Sequence, residues 1–452
     1  MLVLNNYNLE QLEVATGKSS VLIQTADEAS YFAPARNFAS TGVWKDNFEG
    51  LSSYFQRPPG YGFLFYLCEK MMGENALLLL KGIQILLSGT AFFLFGKILE
   101  QLKLGDKWIY LFTSIFAILP CFTGFVYYSL TESLIPFMLL FTVFLSFKWK
   151  SIESPLAKTV LLLLLGCFVL VRPQMMLFLL PLSITILKPL KRSSFLYLAI
   201  LTLPWVLWSV RNYNIKGDFV SVHPIYDNTN ATVFRAPHQK LTEVFKYWEH
   251  KPEKLHEVVG LLKRDTLMSS RISAFETLPV HIKVKFKYKV LKAFDAFQQA
   301  QLAVKMNKEF DGELLKEESV ALVLISDLEK VLRINNSADR NLIVPIKSLG
   351  DLIQKSYLNH FVFQSTWRDY FVVKLLKLIC VSFTILGLIA LILNFFINSN
   401  SQLKLFNISV LLYLFYLGFI QVLNEDRYFF ILLPILFLNL VVQIHHHLRF
   451  KF

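Results

Sequence analysis

Residues able to carry acid–base and anion chemistry cluster near the start of this chain. They are, in order, the acid pair Asp27 and Glu28, then Tyr31, Arg57 and the run Pro58-Pro59-Gly60-Tyr61. A carboxylate can accept a proton from a reacting hydroxyl, and an arginine can bind phosphate oxygens in a fork. This polar stretch, residues 27–62, precedes a strongly apolar region, and the pattern predicts that it is the catalytic loop of a membrane enzyme.

The composition indicates an integral membrane protein. Of the 452 residues 54% are hydrophobic and 42 are Phe, more than a soluble domain carries. The 46 basic and 33 acidic residues give a net charge of +13. In a membrane protein this excess is typical of cytoplasmic loops, so we expect a lipid bilayer and no nucleic acid as partner.

Nine apolar stretches approach the ~20 residues that a bilayer requires. They are residues 75–98, 107–126, 129–148, 156–171, 173–188, 194–211, 371–397, 405–423 and 428–448. Proline interrupts helices, so the fourth and fifth stretches are predicted to break at Arg172-Pro173. The apolar run from Tyr61 to Met72 is too short to span, which favours an interfacial or re-entrant helix.

The distribution of charged residues predicts on which side of the membrane each loop lies. The loops at 99–106, 149–155, 189–193 and 398–404, with their flanks and the C-terminal tail, contain many more Lys and Arg than Asp and Glu, so they are expected in the cytoplasm. The opposite, external face then receives the polar stretch together with Glu132, Arg211 and Arg427. Each residue alone is compatible with a helix-end charge or a snorkelling anchor, but their gathering on one face favours a functional site.

The prediction is therefore an all-α polytopic membrane protein with four regions. These are an external N-terminal segment with the catalytic loop (1–74), a first transmembrane bundle (75–211), an external, mainly helical soluble segment (212–369) and a C-terminal bundle (370–452). Within the third region Lys283, Lys285, Lys287 and Lys289 alternate with apolar residues. That pattern fits contact with anionic headgroups or an acidic acceptor, or else a solvated charged face.

The order of these motifs resembles the polyprenyl-phosphate-dependent glycosyltransferases of the GT-C fold, in particular the bacterial branch related to protein O-mannosyltransferases and aminoarabinose transferases. The resemblance covers residues 27–213 and 370–430. The matching positions are Asp27, Glu28 and Tyr31; Arg57 to Tyr61; Tyr128 and Glu132; Arg172 and Pro173; Pro204, Trp205, Arg211, Asn212 and Tyr213; and Glu425, Arg427 and Tyr428.

The resemblance implies an inverting transfer of a sugar from a polyprenyl-phosphate donor to a glycan, lipid or protein acceptor, on the external face of the cytoplasmic membrane. It implies that Asp27 is the general base. Neighbouring residues on a helix point about 100° apart, so Glu28 is expected to bind the acceptor, an arginine or a divalent cation, which is the only cofactor considered. The same resemblance makes Arg57, Arg211 and Arg427 the phosphate-binding cations. The remaining residues expected to bind substrate are Tyr31, Tyr61, Glu132, Arg172 and Tyr428. For Arg172, pairing with a helix end is an equal alternative.

Two other functions remain open on the sequence: a transporter or flippase of lipid-linked or anionic solutes, and a non-catalytic subunit that binds polyprenyl phosphate. Transporters often contain two matched halves with interrupted helices, and only one broken pair is visible here. The chain also departs from the family, whose members have a transmembrane helix before the catalytic loop. Either the start is truncated or the N-terminus is inserted facing outward, and a missing helix would leave the pocket open on one side.

Overall fold

The structure is a computed structural model, and it is predominantly helical. It describes residues 9–10, 13, 20–23, 28–44, 46–48, 51–55, 58–119, 122, 124–188, 190–216, 225–226, 236–245, 258–262, 267–278, 280–305, 316–332, 371–397, 400–417 and 429–449. The helices up to residue 216 are α1 (Glu28–Thr41), α2 (Pro59–Met72), α3 (Ala76–Gln101), α4 (Asp106–Ile118), α5 (Ile135–Lys148), α6 (Pro155–Val171), α7 (Met175–Leu187) and α8 (Arg192–Lys216). The later helices are α9 (Ala236–Phe245), α10 (Leu267–Glu276), α11 (Val280–Lys305), α12 (316–332), α13 (Phe371–Ile397), α14 (Ser401–Phe415) and α15 (Leu433–Arg449).

Four helical runs in the described residues are long and apolar enough to cross a membrane. They are Pro59–Gln101, Arg192–Asn214, Leu378–Phe396 and Phe430–Leu448. Shorter apolar helices are α6, α7 and α14. These segments identify the chain as a membrane protein, as its composition predicts.

The predicted break at Arg172-Pro173 is confirmed. Helix α6 ends at Val171, Arg172 is extended with φ −145° and ψ 107°, and α7 begins at Met175. Two other predicted stretches are longer than the helices they contain. Helix α4 ends at Ile118, and α5 begins at Ile135 after a 3₁₀ turn over Thr131–Ser133, because Pro136 suits the first turn of a helix.

Helices α2 and α3 form a hairpin rather than one long helix. The Tyr61 hydroxyl and Gln84 Nε2 are 2.8 Å apart although the residues are separated by 23 positions. A straight helix would place residues at that spacing about 34 Å apart. The reversal occurs at the 3₁₀ turn Gly73–Asn75, where Gly73 has a φ of +52° that favours glycine.

The predicted catalytic loop contains regular structure. Its first part is helix α1, whose buried Tyr31, Phe32 and Ala35 face α2. Its second part is a hairpin of strands β1 (Asp46–Phe48) and β2 (Leu51–Phe55), and β2 also pairs antiparallel with β3 (Ile225–Tyr226). The helical prediction thus holds for most of the described chain, with this small sheet as an exception that connects the polar stretch to the segment after α8.

One hydrophobic core joins the two predicted transmembrane bundles. Phe437 in α15 lies 5.6 Å from Phe95 and 5.1 Å from Phe122, measured between ring centroids. Two glycines allow the helices of this core to pack closely. A Cβ added to Gly166 would lie 2.9 Å from Pro204, and one added to Gly387 would lie 2.9 Å from Leu436, so a larger residue would not fit at either position without a shift.

The described part of the region after α8 has a second, separate core. It gathers buried residues from α9, α11 and α12, among them Leu241, Phe294 and Leu328. An ion pair of 2.6 Å between Lys240 Nζ and Glu329 Oε2 joins α9 to α12. This packing gives the segment a helical core of its own, built without the apolar membrane helices.

Candidate functional site

The Glu28 carboxylate begins α1 and meets the loop that precedes α5. It accepts a hydrogen bond from the Ser129 hydroxyl. Backbone pairing holds the two segments together, because Ile23 N donates to Tyr127 O at 2.7 Å and Ser129 N donates to Ile23 O at 3.1 Å. A short parallel contact therefore fixes the start of α1 against residues 127–129.

The environment of Glu28 perturbs its acidity. Burial raises the pKa of this carboxyl above its ordinary value, while the Ser129 hydrogen bond and the positive charge of Arg36 oppose the shift. Arg36 is exposed and lies over the Phe65 ring at 5.3 Å. A carboxyl that is half-buried and shifted in this direction is better suited to accept a proton near neutral pH than a solvated one.

Tyr61 lies at the centre of a buried polar cluster beside Glu28. Gln84 Nε2 contacts the Tyr61 hydroxyl at 2.8 Å, and it donates to Ser133 Oγ at 2.8 Å and to the Tyr128 carbonyl at 3.1 Å. The Tyr31 ring packs edge-on against Tyr61 with centroids 5.4 Å apart.

The Pro-Pro-Gly-Tyr motif starts a helix and allows two close contacts. Pro59 opens α2, where the missing amide hydrogen has no cost. A Cβ on Gly60 would lie 2.6 Å from the backbone nitrogen of Val171, and one on Gly62 would collide with the Tyr31 carbonyl. These glycines bring α2 against both α1 and the end of α6, so Tyr61 reaches the polar cluster.

Glu132 and Arg172 pair with each other. Arg172 Nη1 donates to Glu132 Oε1 at 2.8 Å and to Thr131 Oγ1 at 2.8 Å, with 1% of the Glu132 and 7% of the Arg172 side chain exposed. Thr131 Oγ1 in turn donates to Glu132 Oε2 at 3.1 Å. The sequence pattern assigns both charged residues to substrate, whereas the structure gives each a protein partner of opposite charge.

Arg211 reaches the same end of the helices from α8. Its Nη2 donates to the Trp44 carbonyl at 2.9 Å, its Nη1 donates to Asn212 Oδ1 at 3.0 Å, and the guanidinium lies 4.6 Å from the Trp208 ring centre. Trp44 follows α1 and also approaches Gly62. Arg211 therefore connects α8 to the junction of α1 and α2.

The structure brings six of the predicted site residues to one end of the helices. These are Glu28, Tyr31, Tyr61, Glu132, Arg172 and Arg211. Tyr31 packs on Tyr61 and Glu132 pairs with Arg172, while Ser129 and Gln84 link Glu28 and Tyr61 to residues 127–133. Arg211 reaches this region through Trp44, which approaches Gly62. The other four, Asp27, Arg57, Arg427 and Tyr428, lie outside the described residues. Within the described part of the chain no group of three His, Cys, Asp or Glu side chains could hold a metal ion.

Sequence reasoning missed Gln84, Ser129, Thr131 and Trp44. The sequence could have predicted that Gln84 is buried, because a polar amide within an apolar membrane helix usually faces the protein interior. Ser129 and Thr131 had none beyond their proximity to Glu132.

Comparisons with known proteins do not assign a family. No protein-family model, no curated protein and no solved structure matches the chain.

Proposed function

We propose that this protein is a membrane glycosyltransferase that moves a sugar from a polyprenyl-phosphate donor to an acceptor hydroxyl. The observation that carries the proposal is the convergence of motifs from four separate parts of the sequence. Glu28, Tyr61, Glu132 and Arg172 belong to segments that the resemblance assigns to one site, and the contacts of their segments form one polar cluster at the end of an apolar bundle. A chance similarity of motif order would not require this convergence.

The reaction needs a base that takes the proton of the acceptor hydroxyl and cations that stabilise the negative charge of the leaving phosphate. The acceptor oxygen attacks the anomeric carbon, its proton passes to a carboxylate, and the bond from that carbon to the phosphate oxygen breaks with its electron pair going to the phosphate. By the resemblance Asp27 takes the proton. Glu28, the next residue, is a half-buried carboxyl whose raised pKa favours a role in orienting and hydrogen-bonding the acceptor hydroxyl.

The phosphate that leaves must be stabilised by positive charge in a low-dielectric setting. Arg57, Arg211 and Arg427 are the cations proposed for this role. Arg211 is half-buried at the same end of the helices as Glu28, and its contacts with Trp44 and Trp208 orient its guanidinium. Arg172 is proposed as a positioning residue, since its named contacts hold the Thr131–Ser133 turn next to the Ser129 partner of Glu28.

The test is release of polyprenyl phosphate. Purified protein in lipid nanodiscs receives a panel of polyprenyl-phosphate sugars and a membrane extract as the source of acceptor. We expect wild-type protein to release polyprenyl phosphate and Asp27→Asn to lose about 10²–10⁴-fold in turnover, the usual contribution of general base catalysis. Glu74→Gln, at an exposed position in the 3₁₀ turn after α2, is the matched control and should keep full turnover.

Each outcome separates the alternatives. Undiminished turnover in folded Asp27→Asn would remove that residue from the base role. Absence of release with every donor would overturn the proposal, and movement of intact donor across the bilayer of proteoliposomes would favour a flippase instead. Tight binding of polyprenyl phosphate without either activity would identify a non-catalytic binding subunit.

A further inference from the structure

Helix α11 carries an exposed apolar ridge along the first half of its length. Val280, Val284 and Tyr288 are exposed by 72%, 79% and 69%, and they are four residues apart. That spacing aligns Val280 with Val284 on one face of a helix. The backbone is kinked at Phe286, with φ −121° and ψ 15°, and Tyr288 continues the exposed apolar surface beyond the kink. The opposite face is buried, because Ile282, Val290 and Phe294 belong to the core of this segment.

Lysines flank this ridge on both sides. The sequence from 280 to 292 contains five lysines and no Asp or Glu. Lys287, Lys289 and Lys292 are exposed, and among the described residues no carboxylate pairs with any of them. Lys292 Nζ lies 4.6 Å from the Tyr288 ring centre, so charge and aromatic surface are adjacent.

We infer that the Val280–Lys292 face of α11 docks on the anionic lipid surface of the membrane in which the chain is embedded. An apolar ridge between rows of lysine fits a helix that lies in the plane of the headgroups, with the ridge in the acyl boundary and the ammonium groups at the phosphates. Tyrosine is enriched at that depth because it has an apolar ring and a polar tip. An acidic protein surface would match the lysines but would leave the ridge unexplained.

The chain itself supplies the proximity that this interaction needs. The helical segment lies between the candidate spans Arg192–Asn214 and Leu378–Phe396, so it is tethered to the bilayer at both ends. Tethering raises the effective concentration of the membrane surface far above that of a soluble partner. The inference does not depend on the proposed enzymatic activity, since it concerns a different part of the chain.

The test uses the full chain with its own cysteines replaced by alanine and a bimane fluorophore on Val284→Cys. The protein is placed in nanodiscs of phosphatidylcholine alone or of phosphatidylcholine mixed with phosphatidylglycerol, each with a lipid that carries a quencher near the headgroup. We expect a blue shift and quenching in the anionic discs, and a loss of both at high salt. A probe at Val323→Cys in α12, another exposed position, is expected to remain in water.

A second test reverses the charge of lysines on α11. Each lysine near an anionic surface contributes about fivefold to partitioning, so Lys287→Glu/Lys289→Glu should abolish quenching of the probe. The matched double variant Lys316→Glu/Lys330→Glu, on α12, changes the charge equally and should leave quenching intact. Inorganic phosphate added to phosphatidylcholine discs should produce no shift. The inference would be overturned if the probe were equally exposed to water in both disc types. It would also be overturned if the quenching did not change with salt or in the Lys287→Glu/Lys289→Glu variant.

Discussion

Arg172 and Glu132 form a buried ion pair across 40 positions of sequence, with Nη1 and Oε1 2.8 Å apart. The arginine lies at the break between α6 and α7, and the glutamate lies in the turn that leads into α5. The pair therefore connects an interrupted helix to the loop whose Ser129 contacts Glu28. Its effects on stability and on the site can be measured separately.

Removal of one member of this pair should destabilise the protein strongly. Glu132→Gln leaves the buried Arg172 guanidinium without its counter-charge, which typically costs about 3–5 kcal/mol. The free energy of unfolding, measured by denaturant titration in detergent, checks this value. Glu100→Gln is the control, because Glu100 and Lys97 form an exposed pair at 2.8 Å worth about 0–1 kcal/mol. Equal costs for the two variants would contradict the assignment, and Arg172→Met should recover part of the loss in the Glu132→Gln background.

Gly62→Ala should destabilise the junction of α1 and α2. The added Cβ would meet the Tyr31 carbonyl, which is backbone and cannot rotate away, so we expect a loss of about 1–3 kcal/mol. Gly89→Ala on α3 is the matched control, since a Cβ there meets no atom within 4 Å. Alanine favours a helix by up to about 1 kcal/mol over glycine, so this control should be neutral or stabilising. The readout is the melting temperature in detergent, and a stabilised Gly62→Ala would refute the close contact.

Glu28 should make stability depend on pH. Burial, the largest cause, raises the folded-state pKa above the ordinary value of 4.5, so the folded protein binds this proton more tightly than the unfolded chain. The stability contributed by the protonated form is complete below 4.5 and declines as pH rises through the raised pKa.

The glutamine in Glu28→Gln stays neutral at every pH, so this variant should lose the pH-dependent part of the stability that Glu28 contributes. The melting temperature of wild type minus that of Glu28→Gln should therefore fall between acidic and neutral pH. The exposed Glu74→Gln serves as control for the buffer series. A difference that rises with pH would show that the Ser129 hydrogen bond and the Arg36 charge outweigh burial.

Asn439 should hold the C-terminal helices together. Its Nδ2 donates to Asn407 Oδ1 at 2.8 Å, and its Oδ1 accepts from Asn407 Nδ2 at 3.0 Å and from Asn394 Nδ2 at 3.1 Å. Asn439→Leu keeps a similar size but removes the side-chain bonds between helices, so we expect a loss of about 1–2 kcal/mol in unfolding experiments in detergent. Thr384→Val is the control, because that hydroxyl bonds only the Cys380 carbonyl one turn earlier among its named contacts. If the two variants unfold alike, the asparagine network does not stabilise the bundle.

Local chemistry made much of the architecture predictable. The break at Arg172 and the helix start at Pro59 follow from proline, and the membrane helices follow from apolar stretches. The pairing of β2 with β3 was not predicted, because it joins positions 170 or more residues apart, such as Ser53 and Tyr226. Periodicity indicates which face of a segment is buried, but it does not identify the partner across a sheet or a bundle.

Composition and apolar stretches were enough to predict a membrane protein, most of its described helices and the residues with the chemistry for a site. Only the folded arrangement shows that Glu28 accepts a hydrogen bond from Ser129, that Gln84 contacts Tyr61 and that Arg172 pairs with Glu132. These contacts join residues 23 to 101 positions apart. They depend on how close the helices approach at Gly60 and Gly62, and burial then makes each polar group find a partner inside the protein.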